Sequence, residues 1–294
     1  MMTKKIFVFL GCLSKIALAG SSYSGNAPKS FMQMGPLQTY EMGILTSVSD
    51  SIGRFNSIGE LNDSPENRVY NLAVGATTRV GVLTDLYLIV PFITRIQASE
   101  NLIKSSTGPG DIIFGARHRL VDSLFEGEWA PKITGTFSLK VPTGTTSGAV
   151  PANIHVSGTG NGLWEPTLGA LFFKDLGQAI VAINPSVTLA LGDKQRRDSS
   201  EFLGHRIEVS ETATIPITPF LTGMLSLIEN WSAGNSLTKN LSGRGMAATV
   251  GASYFLNRLW SVAINAESSI TIEKFSINQA AVRTLTFQSN YSIF

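Results

Sequence analysis

Hydrophobic and polar side chains alternate along this chain with a period of two. Residues 178–192, QAIVAINPSVTLALG, put Ala179, Val181, Ile183, Pro185, Val187, Leu189 and Leu191 on one row. Gln178, Ala182, Asn184, Ser186, Thr188 and Ala190 fill most of the other. Period two belongs to a β-strand, whose successive side chains face opposite ways; a helix would smear both rows around its circumference. Elsewhere Tyr70, Leu72, Val74, Val80 and Val82 oppose Asn71, Ala73, Gly75, Thr77, Arg79 and Gly81. Ile133, Phe137, Leu139 and Val141 oppose Lys132, Thr134, Thr136, Ser138 and Lys140. Met246, Ala248, Val250, Ala252 and Tyr254 oppose Ala247, Thr249, Gly251 and Ser253.

Alternation and turn residues together predict about twelve strands, at 37–49, 68–82, 86–98, 110–122, 129–143, 162–174, 178–191, 206–218, 220–231, 243–256, 259–273 and 280–294. Most exceed ten residues, whereas soluble sheets favour about five or six. A tilted strand of about nine to eleven residues crosses a bilayer. The predicted connections alternate in size. Short ones fall at 83–85, around 125–127, at 175–177, 218–220 and 256–258. Long polar ones fall at 50–67, 99–109, 144–161, 192–205 and 232–242, with a tighter one near 274–279. Tight periplasmic turns and long external loops are the layout of an outer-membrane barrel. A soluble sandwich has no reason to sort its loops by parity. The predicted fold is therefore an all-β transmembrane antiparallel barrel of about twelve strands. A lipocalin-like barrel shows the same alternation inside out. Here the second row is small and polar, which suits a wet lumen with lipid outside.

Composition sharpens this picture. Charged residues are 15% of the 294, against about 25% in an average soluble domain. At the N-terminus Lys4 and Lys5 precede the apolar run Ile6–Leu13, and a small-x-small site follows at Ala17–Ala19. That is the order of a secretory signal peptide, 1–19, cut near Ala19. Two rival readings are a lipoprotein signal with Cys12 as the lipidated residue and an uncleaved helix. Cleavage removes Lys4, Lys5 and Lys15, taking the 23 basic residues to 20 against 21 acidic ones, so no charge excess points to nucleic acid. It also removes the one cysteine. No later run of 18 apolar residues offers a helical span. The expected organisation is signal peptide 1–19, a short periplasmic segment 20–36 and a barrel over 37–294 in the bacterial outer membrane.

Within that barrel Glu41, Arg79, Arg95, Arg117, Arg119, Lys132, Lys140, Glu165, Arg206, Glu208 and Glu267 would project into the lumen. An Arg or Lys facing lipid at the midplane costs about 2–4 kcal/mol, so ions sort inward. They would either form cross-strand pairs that fill a narrow barrel or build a charged constriction that selects solutes. Two polar residues fit poorly: by parity His118 and Glu211 face lipid. Tyr70, Tyr87, Phe92, Trp129, Trp164, Phe172, Phe173, Trp260, Phe275 and Tyr291 read as interfacial girdles. The chain ends on Phe294, an aromatic terminus of the kind barrel-assembly machinery reads, although Leu285, Phe287, Tyr291 and Ile293 hold the opposite parity.

Three motifs recur in order: GPGDIIFGARHRL at 108–120, SLKVPTG at 138–144 and VSGTGNGLWEPTLGALFFK at 156–174. They resemble the outer-membrane transporter family named for the meta-pathway of phenol degradation. The matching positions are Gly108, Gly110, Asp111 and Arg119-Leu120; Lys140, Pro142, Thr143 and Gly144; and Gly158, Gly160 and Asn161. The resemblance implies a relative of fatty-acid and aromatic-hydrocarbon channels, admitting hydrophobic compounds. Such channels carry an N-terminal plug, for which only the 17 residues of 20–36 are available.

Other chemistry fits less well. Gly158, Gly160 and Gly162 suggest a phosphate loop only superficially, since strand and an early proline follow where a helix should open. His118, His155 and His205 show no metal-ligand spacing. A phospholipase-like barrel would need a serine held by a histidine near the outer rim, with His118 the candidate. The expectation is a passive channel, not an enzyme, with no cofactor and no metal. Its partners would be outer-membrane lipid, the assembly machinery and a small solute, with no nucleic acid. The alternatives are the phospholipase and a structural or adhesive barrel with a blocked lumen.

Overall fold

The computed structural model describes residues 38–62, 66–99, 102–121, 131–145, 159–160, 162–191, 205–232, 243–270, 276 and 280–294. The strands are β1 Tyr40–Phe55, β2 Leu61–Asn62, β3 Glu66–Val80, β4 Thr84–Ser99, β5 Leu102–Pro109, β6 Ile112–Val121 and β7 Lys132–Val141. There follow β8 Glu165–Asp175, β9 Ile180–Thr188, β10 Arg206–Pro216, β11 Leu221–Ser232, β12 Gly243–Phe255, β13 Trp260–Ser269 and β14 Ala280–Ile293. All pairings are antiparallel; apart from the short β2 and the extension β5, each strand lies beside the next in sequence, and β14 returns to β1. Leaving aside the short β2 and the extension β5, twelve staves close the barrel. Closure runs from Tyr40 opposite Ile293 to Asp50 opposite Arg283. It leaves no lengthwise edge with unsatisfied backbone, which is the condition for spanning lipid with strands.

All twelve predicted strands are present, but two predicted loops hold strand: within 50–67, β1 runs on to Phe55 and β2 pairs back on its end, and within 99–109 lies a further strand. Residues 102–109 form β5, which pairs with the far half of β4 while β6 pairs with its near half. The pairing slips by one residue between Phe92–Pro109 and Ile89–Ile113, and the Gly110 amide donates to the Pro91 carbonyl at the slip. β5 and β6 are thus one long stave with a bulge at Gly110-Asp111. Ser105, Ser106, Thr107 and Lys104 hid this continuation, because polar side chains suit a strand standing clear of the membrane. The reading of residues 1–19 as signal peptide and 20–36 as periplasmic segment lies outside the described residues.

The outward face is apolar. Leu168, Leu225 and Val250 are 63%, 62% and 60% exposed. A Leu, Ile, Val or Phe left in water forgoes roughly 1.5–3 kcal/mol. A belt of such residues right round a closed sheet is stable only against hydrocarbon, and the chain is an outer-membrane β-barrel. Along β9 and the three residues after it Val181, Ile183, Val187, Leu189 and Leu191 lie outside, while Ala182, Asn184, Ser186 and Ala190 are buried inside. The last strand keeps Leu285, Phe287 and Ile293 outside. Phe294 follows the end of β14, so its mismatched parity is that of a residue beyond the stave. Met246 departs from the outward row by being buried; its amide donates to Ser276 Oγ and its carbonyl accepts from the Ile270 amide.

The inward row is less wet than its composition suggests. Hydroxyl pairs cross adjacent staves at Ser49–Thr284 (2.8 Å), Thr167–Thr188 (2.8 Å) and Thr212–Ser226 (2.9 Å). Between them sit apolar side chains, notably the buried group Leu45, Ala73, Ile89 and Ile113 with Tyr87 against it. A twelve-stranded barrel lies between an eight-stranded one filled by side chains and a sixteen-stranded one with an open channel.

The turn end carries both barrel termini, Tyr40 and Ile293, and is the periplasmic end. Its turns are closed locally. Asn257 Oδ1 accepts from the Leu259 and Trp260 amides at 2.8 and 2.9 Å, and Thr218 Oγ1 accepts from the Leu221 amide at 3.0 Å. Such side-chain acceptors mimic a backbone turn and fix a short connection.

Candidate functional site

The structure places all eleven candidate ions on the inward row, in two groups near opposite ends. At the periplasmic end lie Glu41, Arg79, Arg117, Arg119 and Lys132. Arg79 Nε donates to Asp85 Oδ1 at 2.7 Å, with both side chains only 9% exposed. Arg117 sits 4.6 Å above the Tyr87 ring centroid, and the Lys132 ammonium lies 5.6 Å from that of Phe173. Tyr87 lies flat across β6 because position 115 is glycine: a Cβ there would collide with the ring. Tyr87 and Phe173 therefore line the lumen and do not join an interfacial girdle. Each falls on the inward parity, Tyr87 with Asp85 and Ile89, Phe173 with Glu165 and Leu171. Tyr70, Phe92, Trp164 and Trp260 are exposed on the outward face; Trp129 and Phe275 lie outside the described residues.

The second group, at the loop end, contains Arg95, Lys140, Glu165, Arg206, Glu208 and Glu267. Lys140 and Glu165 stand directly opposite on β7 and β8, and the ammonium is bonded to the carboxylate. Arg206 Nη2 lies 3.7 Å from the same carboxylate. Glu267 Oε2 accepts from Thr249 Oγ1 at 3.2 Å. Lys140 and Glu165 are almost wholly buried, at 5% and 3% exposure. Burying an ion costs several kcal/mol and is repaid only by good geometry, so each partner depends on the other.

Above this cluster the three sequence motifs meet. Thr143 Oγ1 donates to the Gly110 carbonyl at 2.9 Å and accepts from the Ile112 amide at 3.0 Å. The Gly144 amide donates to Asp111 Oδ1 at 3.0 Å. Thr159 Oγ1 donates to the Pro109 carbonyl at 2.7 Å and accepts from the Thr145 amide at 3.1 Å. The Gly160 amide donates to the Thr145 carbonyl at 3.0 Å. Gly144 and Gly160 touch backbone to backbone: a Cβ on Gly144 would lie 2.7 Å from the Gly160 nitrogen, and one on Gly160 would strike Asp111. Both ends of the connection between β7 and β8 are thus clipped to each other and to the β5–β6 bulge. Gly108 borders the clip through Thr159, and Pro142 leads into it. Gly158 and Asn161 lie outside the described residues. Thr159, the most buried member at 1% exposure, is the residue the motif reading passed over, although it sits between the two glycines.

The remaining candidates fall apart. His118 is exposed on the outward face at the periplasmic end, with Nδ1 2.9 Å from Thr84 Oγ1. A lipase dyad would stand at the opposite rim. His205 Nδ1 accepts from the Ala190 amide at 3.2 Å, and His155 lies outside the described residues. Among the described residues no three acidic, histidine or cysteine side chains gather as a metal site.

No family model and no curated protein sequence matches the chain. Solved structures do. The chain is similar to an outer membrane channel from Pseudomonas putida F1, with a TM-score of 0.71 and 13% identity over 88% of this chain and 96% of that one. It is less similar to the translocator domain of the autotransporter NalP from Neisseria meningitidis, with a TM-score of 0.52 and 11% identity over 86% and 88% of the two chains. At such identities the likeness concerns the fold, which these comparisons place among closed outer-membrane β-barrels.

Proposed function

We propose that the protein is a passive channel for small, hydrophobic or aromatic molecules, and that it belongs to the family named for the meta-pathway of phenol degradation. The observation that carries the family reading is the clip. Three motifs spread over residues 108–174 are unrelated in sequence position, yet they supply the partners of one hydrogen-bonded junction. The channel reading is supported by a lumen lined with paired ions and hydroxyls at both ends and by the likeness to the outer membrane channel from Pseudomonas putida F1. The apolar shelf of Leu45, Ala73, Ile89 and Ile113 beside Tyr87 supports an apolar solute. The exposed Phe294 at the end of the closing stave is the proposed contact for the assembly machinery. Purified barrel in planar bilayers is expected to pass current, and proteoliposomes to admit phenol-sized solutes faster than sugars of equal mass. Silent bilayers together with impermeable vesicles would leave the blocked, adhesive barrel as the reading.

A further inference from the structure

At the loop end one arc of the outward face collects arginines. Asp50 on β1 stands directly opposite Arg68 on β3 and Arg283 on β14. Arg68 Nε donates to Asp50 Oδ1. Arg283 is exposed, and among the described residues its guanidinium makes no hydrogen bond or ion pair. Arg283 in turn faces Ser268 on β13, and beyond it β12 presents Arg244. Arg244 Nη2 lies 3.8 Å from Glu229 Oε2 on β11, and its guanidinium carbon lies 5.8 Å from the Trp231 ring centroid. The loop-end outward rows of β4 to β9 carry no arginine or lysine among the described residues, so the arc is a patch and not a uniform belt. Elsewhere on the outward rows Glu211 stands at mid-height on β10, and His118 and Lys174 stand at the turn end.

This level is the external boundary of the membrane. At about 3.3 Å per residue and a tilt of about 45°, the chain climbs roughly 23 Å from Tyr40 to Asp50, close to the ~25 Å of an apolar band. Between the arginines and the turn end the outward rows of β1, β3, β12 and β14 hold no charged residue except Asp50 itself. Aromatic side chains mark the same boundary: Tyr70 is the next outward residue after Arg68, and Trp231 stands opposite Arg244. An outward side chain here meets lipid headgroups, and charge selects among them. The arc offers three guanidiniums against two carboxylates, and each carboxylate already has an arginine beside it. Arg68 and Arg244 nevertheless remain 54% and 42% exposed. A guanidinium fork matches the oxygens of a phosphate. Staves lie about 4.8 Å apart, so the backbones of Arg68 and Arg283 are about 10 Å apart, within the span of one phosphorylated sugar headgroup. The outer leaflet of a bacterial outer membrane is made of such a glycolipid. We propose that β12, β13, β14, β1 and β3 bind the phosphorylated glycolipid of the outer leaflet, with Arg283, Arg68 and Arg244 on its phosphates and Asp50 and Glu229 orienting two of them. This does not depend on whether the lumen conducts.

The test uses the barrel purified from outer membranes, stripped of lipid in detergent and titrated with bisphosphorylated lipid A under native mass spectrometry. Binding is expected to saturate, and each arginine exchanged for glutamine should weaken it about fivefold. Arg283→Gln is the first variant, because its side chain holds no other described residue in place. Arg68→Gln, Arg244→Gln and Arg283→Gln combined should bind about a hundredfold more weakly. Lys174→Gln, which removes an outward cation at the turn end, should bind as the wild type does. The gel mobility shift of a folded barrel on heating checks that each variant has assembled; should the triple variant fail, Arg244→Gln with Arg283→Gln replaces it. Lipid A stripped of its phosphates, with the same acyl chains, is expected to bind far more weakly than the intact lipid. The site is overturned if the combined variant binds as tightly as the wild type, if the dephosphorylated lipid matches the intact one, or if Lys174→Gln loses as much as Arg283→Gln. Equal affinity for phosphatidylglycerol would reduce the patch to a general anionic surface, and displacement of the lipid by inorganic phosphate would reassign it to a free anion; either result removes the glycolipid.

Discussion

The two ends of the barrel are held by different kinds of bond. At the periplasmic end the turns after β10 and β12 close on themselves, through the acceptors Thr218 and Asn257 two or three residues from their donors. At the loop end the joint between β7 and β8 is made with a third stave, through Thr159 and Pro109, 50 residues apart in sequence. Beneath it, Glu165 holds one cation from β7 and another from β10. A local turn costs little chain entropy and needs no neighbours. A remote clip orders a long connection only after the staves have paired. The loop end is therefore the place where a sequence change reaches several elements at once.

The contrast can be broken most sharply at Glu165. Glu165→Ala leaves Lys140 and Arg206 inside without their carboxylate, and losing one partner of a buried pair costs about 3–5 kcal/mol. The folded barrel in detergent should unfold at clearly lower urea than the wild type, and the double change Lys140→Met with Glu165→Leu should recover most of that loss. If the single change leaves the midpoint where it was, the buried cluster does not hold the loop end. A smaller effect is expected at the clip. Thr159→Val removes the bond to Pro109 and the acceptor for Thr145, about 1–3 kcal/mol for groups left unpaired. Because the staves remain paired, cleavage by a broad-specificity protease between residues 146 and 158 should accelerate while the unfolding midpoint moves little. The least effect belongs to the turn end, where Asn257→Ala should cost about 1 kcal/mol in the same urea titration. A larger loss there than at Glu165 would reverse the order of the two ends.

Much of this barrel could be read before any coordinates. The rows of β9 and β14 and the inward parity of Arg117, Lys140 and Glu165 follow from period two alone, since one neighbour fixes the face of the next. Other features could not be read. The polar stretch 102–109 has no alternation to betray a strand, because β5 stands where neither face meets lipid. Tyr87 and Phe173 read as girdle residues because an aromatic near a strand end usually belongs to one; their parity with Ile89 and Leu171, the glycine gap at position 115 and the two cations place them inside. The three motifs were visible as motifs, but their joint was not, for no periodicity connects Thr143, Asp111 and Thr159.

Sequence by itself determined which side chains point to lipid and which inward, how many staves there are and which end holds the turns. These follow from alternation and connection length, which are local properties of an extended chain. The tertiary structure decided which inward groups meet: that Lys140 and Arg206 share Glu165, and that one bulge receives both ends of the following loop. Such meetings depend on stagger between staves and on where a connection lands, and each is set by the closure of the whole sheet.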